Sequence, residues 1–213
     1  MTAKQVVKQQ AGDTGEAPVR ERILEAAFSA FMERGFAATS TLEIATRARA
    51  SKRELYAHFD SKQEMLVACI SARAKRLRIP ADWPELRDRE TLSHVLTAFG
   101  TNLLREISDP TVVAVFRLAI AEAVRAPEVA KALNDVGIAA SRLALREIIK
   151  AAHAAGLIGG EPAEMAEHFV GLLWGSQMIN LLLRVADRPA PREIGRRAEA
   201  ATAVFLRAYP APR

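Results

Sequence analysis

A single cysteine, Cys69, occurs in 213 residues, so neither an internal disulfide nor a cysteine-built zinc site can form. It reads most simply as a buried small hydrophobe. Aromatic residues are only 6% of the chain although half of it is hydrophobic, so Ala and Leu dominate the apolar set. That balance disfavours strands, which draw on aromatic and β-branched side chains, and favours helices. No stretch alternates apolar and polar residues in the manner of a strand, and no tandem repeat or low-complexity segment occurs. The apolar stretches 112–121 and 169–183 are interrupted by polar residues, so neither reads as a membrane span. With no charged-then-apolar leader either, a soluble cytoplasmic chain is expected. Also missing are a phosphate-cradling glycine loop, a paired-carboxylate motif and a nucleophile elbow. A helical enzyme therefore finds little support, and no cofactor is expected.

Lys and Arg number 30 against 25 Asp and Glu, and the net charge of +5 suits a polyanionic partner without establishing one. Residues 1–17 are polar and lack apolar periodicity, which predicts a flexible tail. Pro18 opens a first helix, carried by Leu24, Ala27, Phe28 and Phe31 at helical spacing and ended by Gly35. A serine then precedes a glutamate by three residues three times over: Ser40 and Glu43, Ser51 and Glu54, Ser61 and Glu64. Each pair fits a capping box, in which the serine oxygen accepts from the third helical amide and the glutamate reaches back to the cap amide.

One such match is weak. Three, each before an apolar-periodic run, predict short helices at about 41–48 and 52–58 and a longer one from Lys62 to about Arg78. The prolines and charges of residues 80–90 mark a connection. Beyond it, helices are predicted at about 90–107, Pro110 to 125, 128–155, Pro162 to Val185, and 191–208. The expected fold is all-α with about nine helices. It divides into the tail (1–17), a three-helix unit with a connecting helix (18–79) and a larger helical domain (80–213).

Two short helices joined by a tight turn, with a helix before and a helix after, form a helix-turn-helix whose second helix lies in a DNA major groove. That helix needs positive charge near its start. Arg47, Arg49, Lys52 and Arg53 supply four cations, with no acid between Glu43 and Glu54. Alone, the cluster reads equally well as a solvated face, because any basic patch binds DNA weakly. Leu42, Ile44, Ala45, Ala48 and Leu55 remain to hold the two helices together.

The stretch TLEIATRARASKRELYAHFDSKQEML resembles the DNA-binding domain of the TetR family of bacterial regulators, most densely over Leu55-Tyr56-Ala57-His58-Phe59-Asp60-Ser61-Lys62. The specific likeness starts near Arg20 and covers the first third of the chain. FRLAIAEAVRAPEVAKAL looks like the AefR-type C-terminal group. By position, the resemblance places Ser40 and Thr41 where the first short helix meets phosphate. It places Lys52 and Arg53 at bases and phosphates, and Tyr56, His58 and Lys62 on phosphate. Leu55 and Phe59 fall to the core. The resemblance further implies a homodimer on a near-palindromic double-stranded DNA operator, and a small-molecule effector held by the C-terminal helices. Repression relieved by ligand is the family's usual direction. A ligand-insensitive architectural DNA binder would share the N-terminal half and lack the effector response.

Two positions depart from the family pattern. Arg49 stands where glycine is usual, and a positive φ there would cost an arginine about 1 kcal/mol. Glu54 replaces a small residue; it either serves the capping box of Ser51 or accepts from a cytosine amino group. Its charge is unfavourable beside phosphate, which favours capping.

A ligand pocket should be mostly apolar with a few convergent polar groups. Helical position nominates Phe99, Asn102, Phe116, Arg117, Ile120, Trp174 and Met178, each of which simple core packing would also explain. Arg117 interrupts the apolar run from Val112 to Ile120, and if buried it needs an acid or an anionic ligand. Gly171 and Gly175, four residues apart, let a partner helix approach closely, within the monomer or across a dimer. The family implies that this helix and the last one, which carries Phe205, pair with their symmetry mates in a four-helix interface. His168 follows Glu164 by four residues, a spacing compatible with metal ligation, yet no third ligand is evident and a surface pair is the simpler reading.

Overall fold

The structure, a computed structural model, describes residues 18–74 and 84–212, and every regular element among them is helical. The expected tail, the end of the helix near Arg78 and the start of the connection at Pro80 lie outside the described residues. The chain forms two compact units that divide between Leu66 and Val67, within one helix.

In the first unit, α1 (Val19–Ala38) buries Ile23, Leu24, Ala27, Phe28 and Phe31. Its regular course stops at Gly35, whose φ of 80° and ψ of 167° only glycine adopts readily, so Gly35 ends the main run as expected. The last turn folds Phe36 back onto Phe31, ring centroids 5.5 Å apart. The buried Thr39 hydroxyl donates to the Gly35 and Ala30 carbonyls beneath it. Helices α2 (Thr41–Arg47) and α3 (Lys52–His58) follow, and α1, α2 and α3 pack against one another around Ile44, Ala45, Ala48 and Leu55. Helix α4 begins at Lys62 and is described as far as Ala74.

The three serine caps behave differently. Ser51 and Glu54 complete the reciprocal box at the start of α3. Ser40 accepts from the Glu43 amide, but the Glu43 carboxylate turns to Arg34 and Arg47 instead of reaching back. Ser61 accepts from the Glu64 amide, while Glu64 reaches one residue further, to the Asp60 amide. Each serine still satisfies an amide that the helix leaves open at its start.

The second unit is built on α5 (Arg89–Ile107), α8 (Ala139–Ala154), α9 (Pro162–Trp174) and α11 (Pro191–Ala208), once α6 (Pro110–Glu122), α7 (Pro127–Ala132) and α10 (Gln177–Leu182) are set aside. Those four helices share one apolar core, centred on the rings of Phe99, Phe169 and Phe205. Gly100 lets α9 and α11 close on α5: a Cβ there would stand 2.8 Å from Leu173 and 3.4 Å from Ala198. Helix α6 packs against α7 and α10 and buries its own stripe of Val115, Leu118 and Ala119.

Two predicted helices are not continuous. The expected 128–155 helix contains a π-helical turn, Leu133–Ile138, between α7 and α8. The expected 162–185 helix breaks at Gly175, which has φ 44° and ψ −133°. Arg197 holds that break open, donating to the Leu173 and Trp174 carbonyls at the end of α9. Periodicity does not reveal either interruption, because the apolar spacing runs on through both.

Candidate nucleic-acid interface

The turn between α2 and α3 is a Schellman closure: the Ala50 amide donates to the Ala45 carbonyl and the Arg49 amide to that of Thr46. Such a closure needs a left-handed residue, and Arg49 takes that role with φ 51°. The arginine therefore keeps the geometry that glycine would give, with the strain of a Cβ in that region. Arg22 braces the same turn from α1 by donating to the Ala48 carbonyl. Nothing in the local pattern around Arg22 announces this contact, which spans 26 residues.

The four cations divide. Arg47 turns inward on the unit's surface, bonding to Glu33 at 2.7 Å and Glu43 at 2.8 Å. Its hydrogen bond to Glu33 raises the Arg47 pKa and lowers that of Glu33. The turn's arginine pair is thus reduced to Arg49. Lys52 and Arg53 stand exposed in the first turn of α3, and no described residue forms an ion pair with either. Glu54 beside them is occupied: its carboxylate accepts from the Ser51 amide at 2.8 Å and the Ser51 hydroxyl at 2.7 Å. The backbone bond to Ser51, then its hydroxyl, holds the Glu54 carboxyl below its ordinary pKa. Of the two readings left open for Glu54, this geometry fits capping.

Thr41 and Tyr56 meet across the two short helices, Oγ1 to OH 3.3 Å, although 15 residues separate them. Tyr56 is 49% exposed, so the pair presents two hydroxyls to solvent. Ser40 and His58 are exposed as well, the imidazole lying 6.4 Å from the buried Phe59 ring. Leu42, expected to hold the helices together, is instead 58% exposed. A seven-residue helix has room for only one buried stripe, and Ile44, Ala45 and Ala48 fill it.

Lys62 departs furthest from its expected place. Its ammonium donates to the carbonyls of Phe36 at 2.7 Å and Thr39 at 2.9 Å, with Ala37 at 3.4 Å, and lies 4.4 Å from the Phe36 ring centroid. With these partners it closes the C-terminal end of α1, a structural role that the expected phosphate contact did not include. A lysine at a helix start gives no sequence signal for carbonyls 23 to 26 residues earlier.

In the second unit the nominated pocket residues do not form one group. Phe99 is fully buried in the core and Met178 is buried, while Ile120 is 61% exposed and turned away from any interior. Asn102 is held by Arg105 at 3.1 Å, and Phe116 is half-buried. Arg117 needs no anion: it donates to the Leu181 and Leu182 carbonyls, closing α10. The Trp174 indole N–H is enclosed without a partner. Phe205, expected at a dimer interface, is fully buried against Phe169 and Tyr209 of its own chain. Gly171 is exposed with open space where a Cβ would lie, but Gly175 sits outside the helix, so the two do not form a continuous small-residue face. His168 pairs with Tyr209 and lies 4.0 Å from Glu164, the expected surface arrangement. No group of three metal-ligating side chains occurs among the described residues. Cys69 is buried.

A tight-turned helix pair with free cations at the start of its second helix, followed by a helical domain, defines the class: a helix-turn-helix DNA-binding regulator. Residues 23–69 match the family described as bacterial regulatory proteins, tetR family, and residues 94–211 match the AefR-like transcriptional repressor C-terminal domain. The chain belongs to the TetR family of transcriptional regulators. As such it binds operator DNA as a homodimer. The HTH-type transcriptional regulator YvkB of Bacillus subtilis (strain 168) is 26% identical over 193 residues, covering 89% of this chain and 96% of the relative. A crystal structure of a TetR-family regulator from Mesorhizobium loti MAFF303099 shares 28% identity and a TM-score of 0.76, covering 91% of this chain and 97% of its own. The flavonoid-responsive regulator FrrA shares 30% identity and a TM-score of 0.78, covering 92% and 98%. No described helix is long and apolar enough to cross a membrane.

Proposed function

We propose that this regulator is a cytoplasmic repressor, without enzymatic activity, that a small-molecule effector releases from a near-palindromic operator. The observation that carries the DNA-reading half is the grouping on α2 and α3. Thr41 and Tyr56 offer paired neutral hydroxyls, and Lys52 and Arg53 offer cations that no described acid neutralises. Hydroxyls position a phosphate, while the cations at the start of the recognition helix reach phosphates and base edges. Ser40, His58 and Arg49 sit at the edge of this surface; Ser51 and Glu54 contribute by holding the helix start. Two recognition helices then occupy successive major grooves, about 34–36 Å apart. We assign the reading function to residues 18–79, connecting helix included, and effector binding and pairing to residues 80–213, although by contacts the compact units divide within α4, between Leu66 and Val67. The exposed Leu172 of α9, Ile179 of α10, Leu183 just past it and Val204 of α11 suit a surface covered by a second copy.

The effector half is supported by kinship: FrrA, the 30% identical relative, is named as flavonoid-responsive. An effector shifts operator affinity only by its differential affinity for two conformations. Operator fragments selected from random DNA supply the test. Tyr56→Phe and Thr41→Ala should weaken binding to every fragment alike. Lys52→Ala or Arg53→Ala should also change which fragments are selected and reduce the salt slope by about 2 per dimer, one contact being lost from each protomer. Unchanged affinity in both sets would overturn the assignment of this surface. A compound that dissociates the operator complex would distinguish a responsive repressor from an architectural binder.

A further inference from the structure

The buried stripe of α6 runs Val115, Leu118, Ala119 and then Glu122, at helical spacing. Three apolar positions are followed by a carboxylate on the same covered face. Glu122 is 7% exposed, covered but not sealed, and it is the one buried acid among the described residues. Its backbone carbonyl accepts from the Arg125 and Ala126 amides, yet no described residue gives its carboxylate a hydrogen bond or an ion pair. The cation nearest in sequence on α6, Arg117, is committed to the α10 carbonyls, and Arg125 is exposed. Neither carboxylate oxygen is among the fully enclosed side-chain atoms that lack a partner, so solvent reaches the group, and a cation placed beside it would replace that hydration.

The surroundings suit a ligand better than a sealed core. Helix α6 packs on α7 and α10 and touches α5, but none of its residues belongs to the four-helix core. Helix α7 contributes buried Val129 and Ala132 and leads directly into the π-helical turn that starts at Leu133. Interruptions of this kind concentrate at functional sites, because the extra residue per turn leaves backbone out of regular register.

We propose that Glu122 is the counter-ion for a cationic group of the effector, an ammonium carried on an apolar body. The carboxylate orients the cation, and the apolar residues of α6 and α7 cover the rest of the molecule. This inference rests on the effector-released reading given above.

Matched probe pairs test it: phenethylamine against phenethyl alcohol, and dibenzylamine against dibenzyl ether. Binding of each to the full-length protein is followed by thermal shift and titration calorimetry, and release of a selected operator fragment by fluorescence anisotropy. The amine of at least one pair should bind the wild type about tenfold more tightly than its neutral partner, and Glu122→Gln should abolish that preference. Equal binding within both pairs, or a preference that survives in Glu122→Gln, overturns the proposal. Should the variant not fold, the comparison within each pair on the wild type decides alone. Neutral members releasing the operator as well as amines do would sink the cation site and leave the effector reading standing. Glu122-dependent amine binding that never moves operator affinity would do the reverse.

Discussion

In the N-terminal unit three serines start three helices within their own short segments, whereas in the C-terminal unit arginines finish helices from far along the chain. Arg89 closes the end of α11 across 117 residues, Arg117 closes α10 across 65, and Arg197 closes α9 across 24. Both devices answer the same need, since each helix leaves amides open at one end and carbonyls at the other. They differ in range. A serine cap acts on an amide three residues away, so it works before any packing exists. An arginine fork reaching a distant carbonyl works only once the helices have met. Helix starts are thus locally specified in both units, including those capped by Asp88, Asp109 and Glu161, whereas these distant helix ends depend on tertiary contacts. Arg22 and Lys62 bring the second mode into the N-terminal unit, and Lys62 joins the two by starting one helix while closing another.

The contrast can be broken first at the core. Phe205→Ala should destabilise the second unit by about 3–5 kcal/mol, because the ring is enclosed by its own chain. Urea unfolding across a range of protein concentrations checks this. A loss seen only as weaker dimerisation would return Phe205 to the interface. Next come the long-range caps. Arg117→Met and Lys62→Met should each cost about 2 kcal/mol, the usual size for hydrogen bonds from a charged donor. Lys62→Met should also leave the salt slope of operator binding unchanged; a slope reduced by about 2 per dimer would put its ammonium on phosphate after all.

Local caps should have smaller effects. Ser51→Ala should cost about 1 kcal/mol and lower the thermal midpoint of the N-terminal unit. The same contacts predict a pH trend. Cap hydrogen bonds hold the carboxyls of Glu54, Asp88 and Glu161 below their ordinary pKa values. Their stabilisation is therefore complete above the unfolded carboxylate range and is lost as pH falls through the lowered folded values. Acid titrations of Glu54→Gln should show a shallower loss than wild type, and an identical curve would remove Glu54 from the account. Least of all, Arg49→Gly should gain up to about 0.5 kcal/mol, relief of the left-handed strain being partly offset by the flexibility of glycine. A melting temperature that falls instead would mean that the arginine side chain supports the turn.

Much of the architecture was legible before any coordinates. The starts at Thr41, Lys52, Lys62, Pro110, Pro162 and Pro191 follow from serine and aspartate caps and first-turn prolines, which act locally. Of the reading surface, the positions of Lys52, Arg53 and Tyr56 were legible for the same reason: once the helix start is known, helical spacing orients them. Leu42 and Phe205 were misplaced because an apolar side chain carries no label for core, partner or solvent. The breaks at Leu133 and Gly175 stayed hidden because their cause lies in packing rather than in periodicity.

Local chemistry along the chain is enough to make this protein all-helical, to start most of its helices and to open a recognition helix with a basic turn. Short-range hydrogen bonds and apolar spacing are sufficient for that. Which cations remain free depends on packing. Arg47 is neutralised by Glu33 and Glu43, Lys62 and Arg117 are tied to carbonyls, and Lys52 and Arg53 are left facing outward. A cation is assigned by what the fold brings within about 3 Å of it, and that distance is not written along the chain.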